Sequence, residues 1–183
     1  MKKLISVSVL KYSLTLLILL SGIFAGAQST RKEKKLVSDS RVAKQEFITT
    51  DGLMNNLFSN AYGYVIFPNV GKGGIGVGGA AGNGIVFENG AIIGKAKLTQ
   101  VSIGFQFGGQ AYREVIFFES KSDLDRFKEN KIEFSAQASA VAATKGASAN
   151  VKYRDGVMIF TQQKGGLMYE ASVGGQKFNY ETF

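Results

Sequence analysis

The stretch "FPNVGKGGIGVGG", residues 67–79, carries the residue types with the clearest claim to chemistry in this 183-residue chain. Gly71-x-Gly73-x-x-Gly76 and Gly74-x-Gly76-x-x-Gly79 both fit the fingerprint in which glycines let backbone N–H groups approach a pyrophosphate. That chemistry needs a helix directly after the glycines, because the helix N-terminus holds the phosphate. The chain instead continues "GGAAGNGIVFENGAIIG", rich in turn formers and β-branched residues. Gly74, Gly76 and Gly78 alternate with Ile75 and Val77, which predicts a strand with one bare face after a strand that ends at Phe67-Pro68, with Lys72 in the turn between them. The glycines are therefore expected to serve architecture. "GAIIGKAK" fails as a Walker loop in the same way: it is one residue short before Gly94-Lys95, and Ala96 stands where Ser or Thr must hold a metal.

Other catalytic chemistry is poorly supplied. The chain contains neither histidine nor cysteine, which removes the commonest general base, the commonest metal ligand, every thiolate site and every disulfide. Asp123 and Asp125 stand at the start of a short helical pattern, with Ser122-x-x-Asp125 resembling a capping box and Leu124 and Phe127 sharing a face. Their position suits a helix N-terminal dipole and not a carboxylate pair for catalysis. No catalytic residue, metal ligand or cofactor is expected, and the chain reads as a non-enzyme.

The remaining chemistry is positive charge. Met1 to Ala27 has a basic start, an apolar run and small residues at Ala25-Gly26-Ala27, the pattern of a secretory signal peptide (1–27) cleaved after Ala27. Removing it leaves 19 basic residues against 14 acidic ones, a net of +5. For an exported protein, periplasmic or secreted, that charge points to an acidic surface and away from nucleic acid.

Residues 28–60 read as basic amphipathic helices. Leu36, Ala43 and Phe47 share a face flanked by Val42 and Ile48, while Lys32, Lys34, Lys35, Arg41 and Lys44 line the other. Thr50 or Asp51 can cap a second short helix carrying Leu53, Leu57 and Phe58. From residue 61 onward the period becomes two. "VSIGFQFGG", "EFSAQASAVAA" and "GLMYEASVGG" alternate, "REVIFFE" and "GVMIFT" are dense apolar strands, and "GNG", "ENG" and "RDG" mark turns. The expected fold is α+β: N-terminal amphipathic helices on a glycine-rich antiparallel sandwich or barrel with one inserted helix, the whole of 28–183 forming one domain.

"AYGYVIFPNVGKGGIGVGGAAGNGIVF", "VSIGFQFGGQAYREVIFF", "FSAQASAVA" and "VMIFTQQKGGLMYEASVGG" succeed one another in the order of the SYLF domain, which this chain resembles over roughly residues 36–180. The most specific blocks are Ala61-x-Gly63-x-x-x-Phe67-Pro68 and Gly104-x-Gln106-x-Gly108-Gly109. The resemblance implies a module that binds acidic phospholipid, and in eukaryotic members also actin; an exported protein meets no actin. It implies membrane contact through Lys32, Lys34, Lys35, Arg41 and Lys44 of the helix and through Lys72, with Lys95, Lys97 and Arg113 as further candidates. The family's Trp-Ser-x-Pro run and Gly-Pro-x-Gly-Arg turn are replaced here by "AIIGKAKL" and "ATKGASANV".

The expected function is peripheral binding to acidic phospholipid, with no small-molecule substrate. A small outer-membrane barrel and a protein-interaction domain without lipid activity are the alternatives.

Overall fold

A computed structural model describes residues 30–75, 77–103, 110–132, 139–164 and 170–183. The expected signal peptide, the Gly104 to Gly109 motif, "EFSAQA" and "GLMY" lie outside these residues. The chain divides into two compact units, Met1–Lys35 and Leu36–Phe183. Helix α1 covers residues 30–50 and α2 covers Met54–Asn60. Eight strands come next: β1 Gly63–Ile75, β2 Val77–Glu88, β3 Ala91–Ile103, β4 Gln110–Phe118, β5 Ser139–Ala142, β6 Val157–Gln163, β7 Glu170–Ser172 and β8 Gln176–Thr182. Helix α3, Lys121–Lys128, stands between β4 and β5.

The strands form one sheet in the order β7-β5-β6-β4-β1-β2-β3-β8. Every pair is antiparallel except β5 with β6, so the α+β class holds with a mixed, open sheet in place of a purely antiparallel one. Period-two alternation sends Tyr64 and Ile66 to one face and Val65 and Phe67 to the other, and both faces are buried. The first face packs under the helices, where Ala43, Phe47, Met54 and Phe58 meet Tyr64, Phe87, Phe117 and Phe160. Each phenylalanine so buried stabilises the fold by about 2 kcal/mol.

The second face packs against α3 and against itself. Phe67 of β1 and Phe178 of β8 lie with ring centroids 6.0 Å apart, although two strands separate them in the sheet. A flat sheet would hold them roughly 14 Å apart. Right-handed twist coils the sheet until its far edge closes over its own inner face, which gives a barrel-like interior without edge pairing between β7 and β8 among the described residues. A lipid-facing barrel would carry its apolar band outward; among the described residues the two apolar clusters are interior or lie under helices, and the exposed large hydrophobics are Val42, Leu53, Val101 and Phe183.

Several local expectations change. Pro68 does not end β1: the strand runs on, and the register shifts between Phe67 and Val70 because proline has no N–H to give the ladder. Lys72 therefore sits inside β1, paired with Ala80 and Gln110, and not in a turn. Gly74 and Gly78 face each other across the β1–β2 hairpin and do not line one strand. Close packing instead requires glycine at positions such as Gly84, where a Cβ would stand 2.6 Å from the Ile66 carbonyl oxygen beside the bulge, and Gly94, where it would meet the Glu181 carbonyl oxygen. In α1, Val42 points outward and Ser40 takes the buried position instead. Leu53 is exposed at the α2 N-cap, and Met54 and Phe58 are the residues that α2 buries. The capping box of α3 is Ser120 with Asp123, two residues before the expected pair.

Candidate functional site

The candidate cations divide by what already holds them. Lys32, Lys34 and Lys35 belong to the first compact unit, and all three are exposed. Arg41 is exposed on α1. Lys44 is half-buried: its Nζ donates to the Tyr64 hydroxyl at 3.2 Å and stands 4.9 and 5.2 Å from the Phe58 and Tyr64 ring centroids. It is spent on packing through cation–π attraction, so its charge is poorly placed for an outside partner.

On the sheet, Lys72 is half-buried on the inner face, in register with Ala80. Lys95 pairs with Glu181 at 3.2 Å, and the Arg113 guanidinium donates to Gln162 Oε1 at 3.1 Å. Lys97 is exposed and stands in a row that crosses four strands, Asn69–Asn83–Lys97–Asn179. The next row along is Ala111–Gly71–Ala81–Thr99–Lys177. Four strands at their usual spacing make this platform about 15 Å wide. Small side chains leave it unobstructed on β1 and β2, and a Cβ added at Gly71 or Gly73 would touch nothing within 4 Å.

Positive charge rims that platform. Lys97 and Lys177 are diagonal neighbours on β3 and β8, Lys164 reaches Asn69 Oδ1 at 3.3 Å, and the carboxylate of Glu181 is met by Lys95. The structure thus gathers Lys95, Lys97 and Arg113 on the outer face of the sheet, the one the helices only partly cover, while Lys72 lies on the opposite face. Lys177 and Lys164 were missed by sequence reasoning. The signal for Lys177 was present, because the alternation in "QKFNYETF" puts Lys177, Asn179 and Glu181 on one side. Asn69 lies behind the bulge, so its place in the row needed the observed register.

Among the described residues, no three of His, Cys, Asp and Glu gather as metal ligands. Asp51 is buried at the end of α1 and accepts from the Ser148 N–H at 2.8 Å and the Ser148 hydroxyl at 2.7 Å. Burial raises its pKa, but these bonds outweigh it and hold the carboxylate ionised. It locks the helices to the turn at Ala147–Asn150, with no role in the platform.

A family model described as "Ysc84: Las17-binding protein actin regulator" matches residues 99–181. The chain is also similar to Beta cell expansion factor A of Aeromonas veronii, at 29% identity over 125 residues. That alignment covers 67% of this chain and 47% of the relative, so the chain spans about half the length of the curated protein it matches.

Proposed function

Residues 99–181 belong to the Ysc84 family, the SYLF domain, and on that footing we propose that this chain is a non-enzymatic module that binds anionic phospholipid surfaces peripherally. The observation that carries the reading is the outer-face platform around Lys97 and Lys177, whose exposed cations outnumber the carboxylate of Glu181 beside them. The outer face of the coiled sheet is convex and turns Lys97 and Lys177, on the adjacent strands β3 and β8, outward together, which suits an extended anionic surface better than a small enclosed ligand. Each basic residue near such a surface contributes about 1 kcal/mol, so three or four, together with Arg41, give useful affinity that salt weakens.

The signal-peptide pattern favours an envelope membrane outside the cytoplasm as the surface bound. Among the described residues no helix is long and apolar enough to cross a membrane. The family description speaks of actin regulation; for this chain, acidic phospholipid is the partner that export permits. Vesicle flotation with neutral and phosphatidylglycerol-containing membranes tests the reading. Association confined to the anionic vesicles and reversed by high salt supports it, and equal association with both refutes it.

A further inference from the structure

The coiled sheet encloses a set of buried oxygens that the platform does not use. Glu114 on β4 is fully buried, and Thr161, its register partner on β6, is equally inaccessible. Tyr112, two residues along β4 on the same face, and Gln176, at the start of β8, are buried with them. Gln176 Nε2 donates to Glu114 Oε2 at 3.0 Å. That bond leaves Glu114 Oε1, Gln176 Oε1, Thr161 Oγ1 and the Tyr112 hydroxyl oxygen without a hydrogen-bond partner. The Tyr112 hydroxyl stands close enough to Gln176 to feel it, without hydrogen-bond geometry.

Four such atoms in one interior are costly, at about 1–3 kcal/mol each. They do not satisfy one another, and two of them, the carboxylate and amide oxygens, can only accept. Whatever completes the set must therefore supply positive charge or donors. The formal charge of the group is −1, from Glu114 alone, and a fully buried site is most stable when neutral. A divalent ion would leave an uncompensated positive charge, and oxygen donors of this kind suit a hard cation.

We propose that Glu114, Thr161, Tyr112 and Gln176 form an interior binding site for a single alkali-metal cation, sodium or potassium. The site gathers residues from three strands, β4, β6 and β8, so an ion held there clasps the far edge of the coiled sheet to its centre. Lys72, the cation on the same face of β1, lies level with Gln110, four residues along β4 from Glu114, and does not fill this position. Glu88 at the opposite end of β2 is engaged with the Tyr62 hydroxyl at 2.7 Å.

The test compares thermal unfolding of the full chain in sodium, potassium and choline chlorides at equal ionic strength and mildly alkaline pH. The midpoint is expected to rise by about 3 °C or more in at least one alkali salt over choline. Glu114→Gln should abolish that difference, and the near-isosteric Thr161→Val should shrink it. Sodium NMR adds a direct readout: line broadening by the wild type, lost in Glu114→Gln. Equal midpoints in all three salts, or a salt-specific rise that survives both substitutions, would overturn the proposal. Vesicle binding is read separately, so failure of this site leaves the platform reading standing, and the reverse.

Discussion

Gln176 and Glu114 are joined by a 3.0 Å hydrogen bond although three strands stand between theirs in the sheet. Flat, that separation would be about 19 Å. The bond fixes how far the sheet coils, and it does so with a carboxyl that has been taken wholly out of water.

That burial brings a pH dependence, because it pushes the Glu114 carboxyl up to about 7 from its ordinary 4.5, the Gln176 bond offsetting part of the rise. The folded state then holds a proton that the unfolded state has released between those limits. Stability contributed by the neutral acid is complete below about pH 4.5, falls as pH rises to about 7, and is flat beyond. In choline salts the loss is on the order of 3 kcal/mol. Urea unfolding from acid to neutral pH should show that fall in the wild type and a flatter profile in Glu114→Gln.

Much of this architecture was legible in the residues. The dense apolar runs "REVIFFE" and "GVMIFT" placed β4 and β6, and Leu124 with Phe127 placed the buried face of α3. What could not be read was long-range pairing. A proline usually stops a ladder, yet the flanking strands carry β1 past Pro68 through a bulge, which moved Lys72 from a turn to the interior face. The platform and the buried oxygens come from strands far apart in sequence, so neither leaves a local spacing signature. Lys44 looked like a solvated charge because its neighbours Phe58 and Tyr64 are supplied by other elements.

Lys44 separates packing from binding. Lys44→Gln should lower stability by about 1 kcal/mol through lost cation–π attraction and leave anionic-vesicle binding nearly unchanged. Lys97→Gln should do the opposite. Chemical denaturation and vesicle partitioning on the same two proteins check the pair.

The two hydrogen bonds from Ser148 to Asp51 predict a stability effect remote from both candidate sites. Asp51→Ala leaves the Ser148 N–H and hydroxyl buried without their acceptor and should cost about 3 kcal/mol. Because the folded carboxyl is held below its usual value, this contribution is present above about pH 4 and is lost on further acidification. Comparing wild-type and Asp51→Ala unfolding at neutral and strongly acid pH should show the difference shrinking in acid.

Gly84 and Gly71 test which glycines the fold needs. Gly84→Ala forces a Cβ against the Ile66 carbonyl and the Phe67 ring and should destabilise by about 2 kcal/mol or more. Gly71→Ala meets open space and should be neutral or slightly stabilising. Urea midpoints of the two variants decide it.

The platform itself is tested most directly by charge reversal. Partition coefficients on phosphatidylglycerol vesicles should be measured for the wild type and for the double variant Lys97→Glu, Lys177→Glu. The two side chains are exposed and diagonal on β3 and β8, so the variant should fold normally by circular dichroism. Two reversals should cost roughly 2–4 kcal/mol, a loss of at least about 30-fold in partitioning, with the salt dependence flattened. Undiminished binding by a folded double variant would contradict the assignment of this face to an anionic membrane surface.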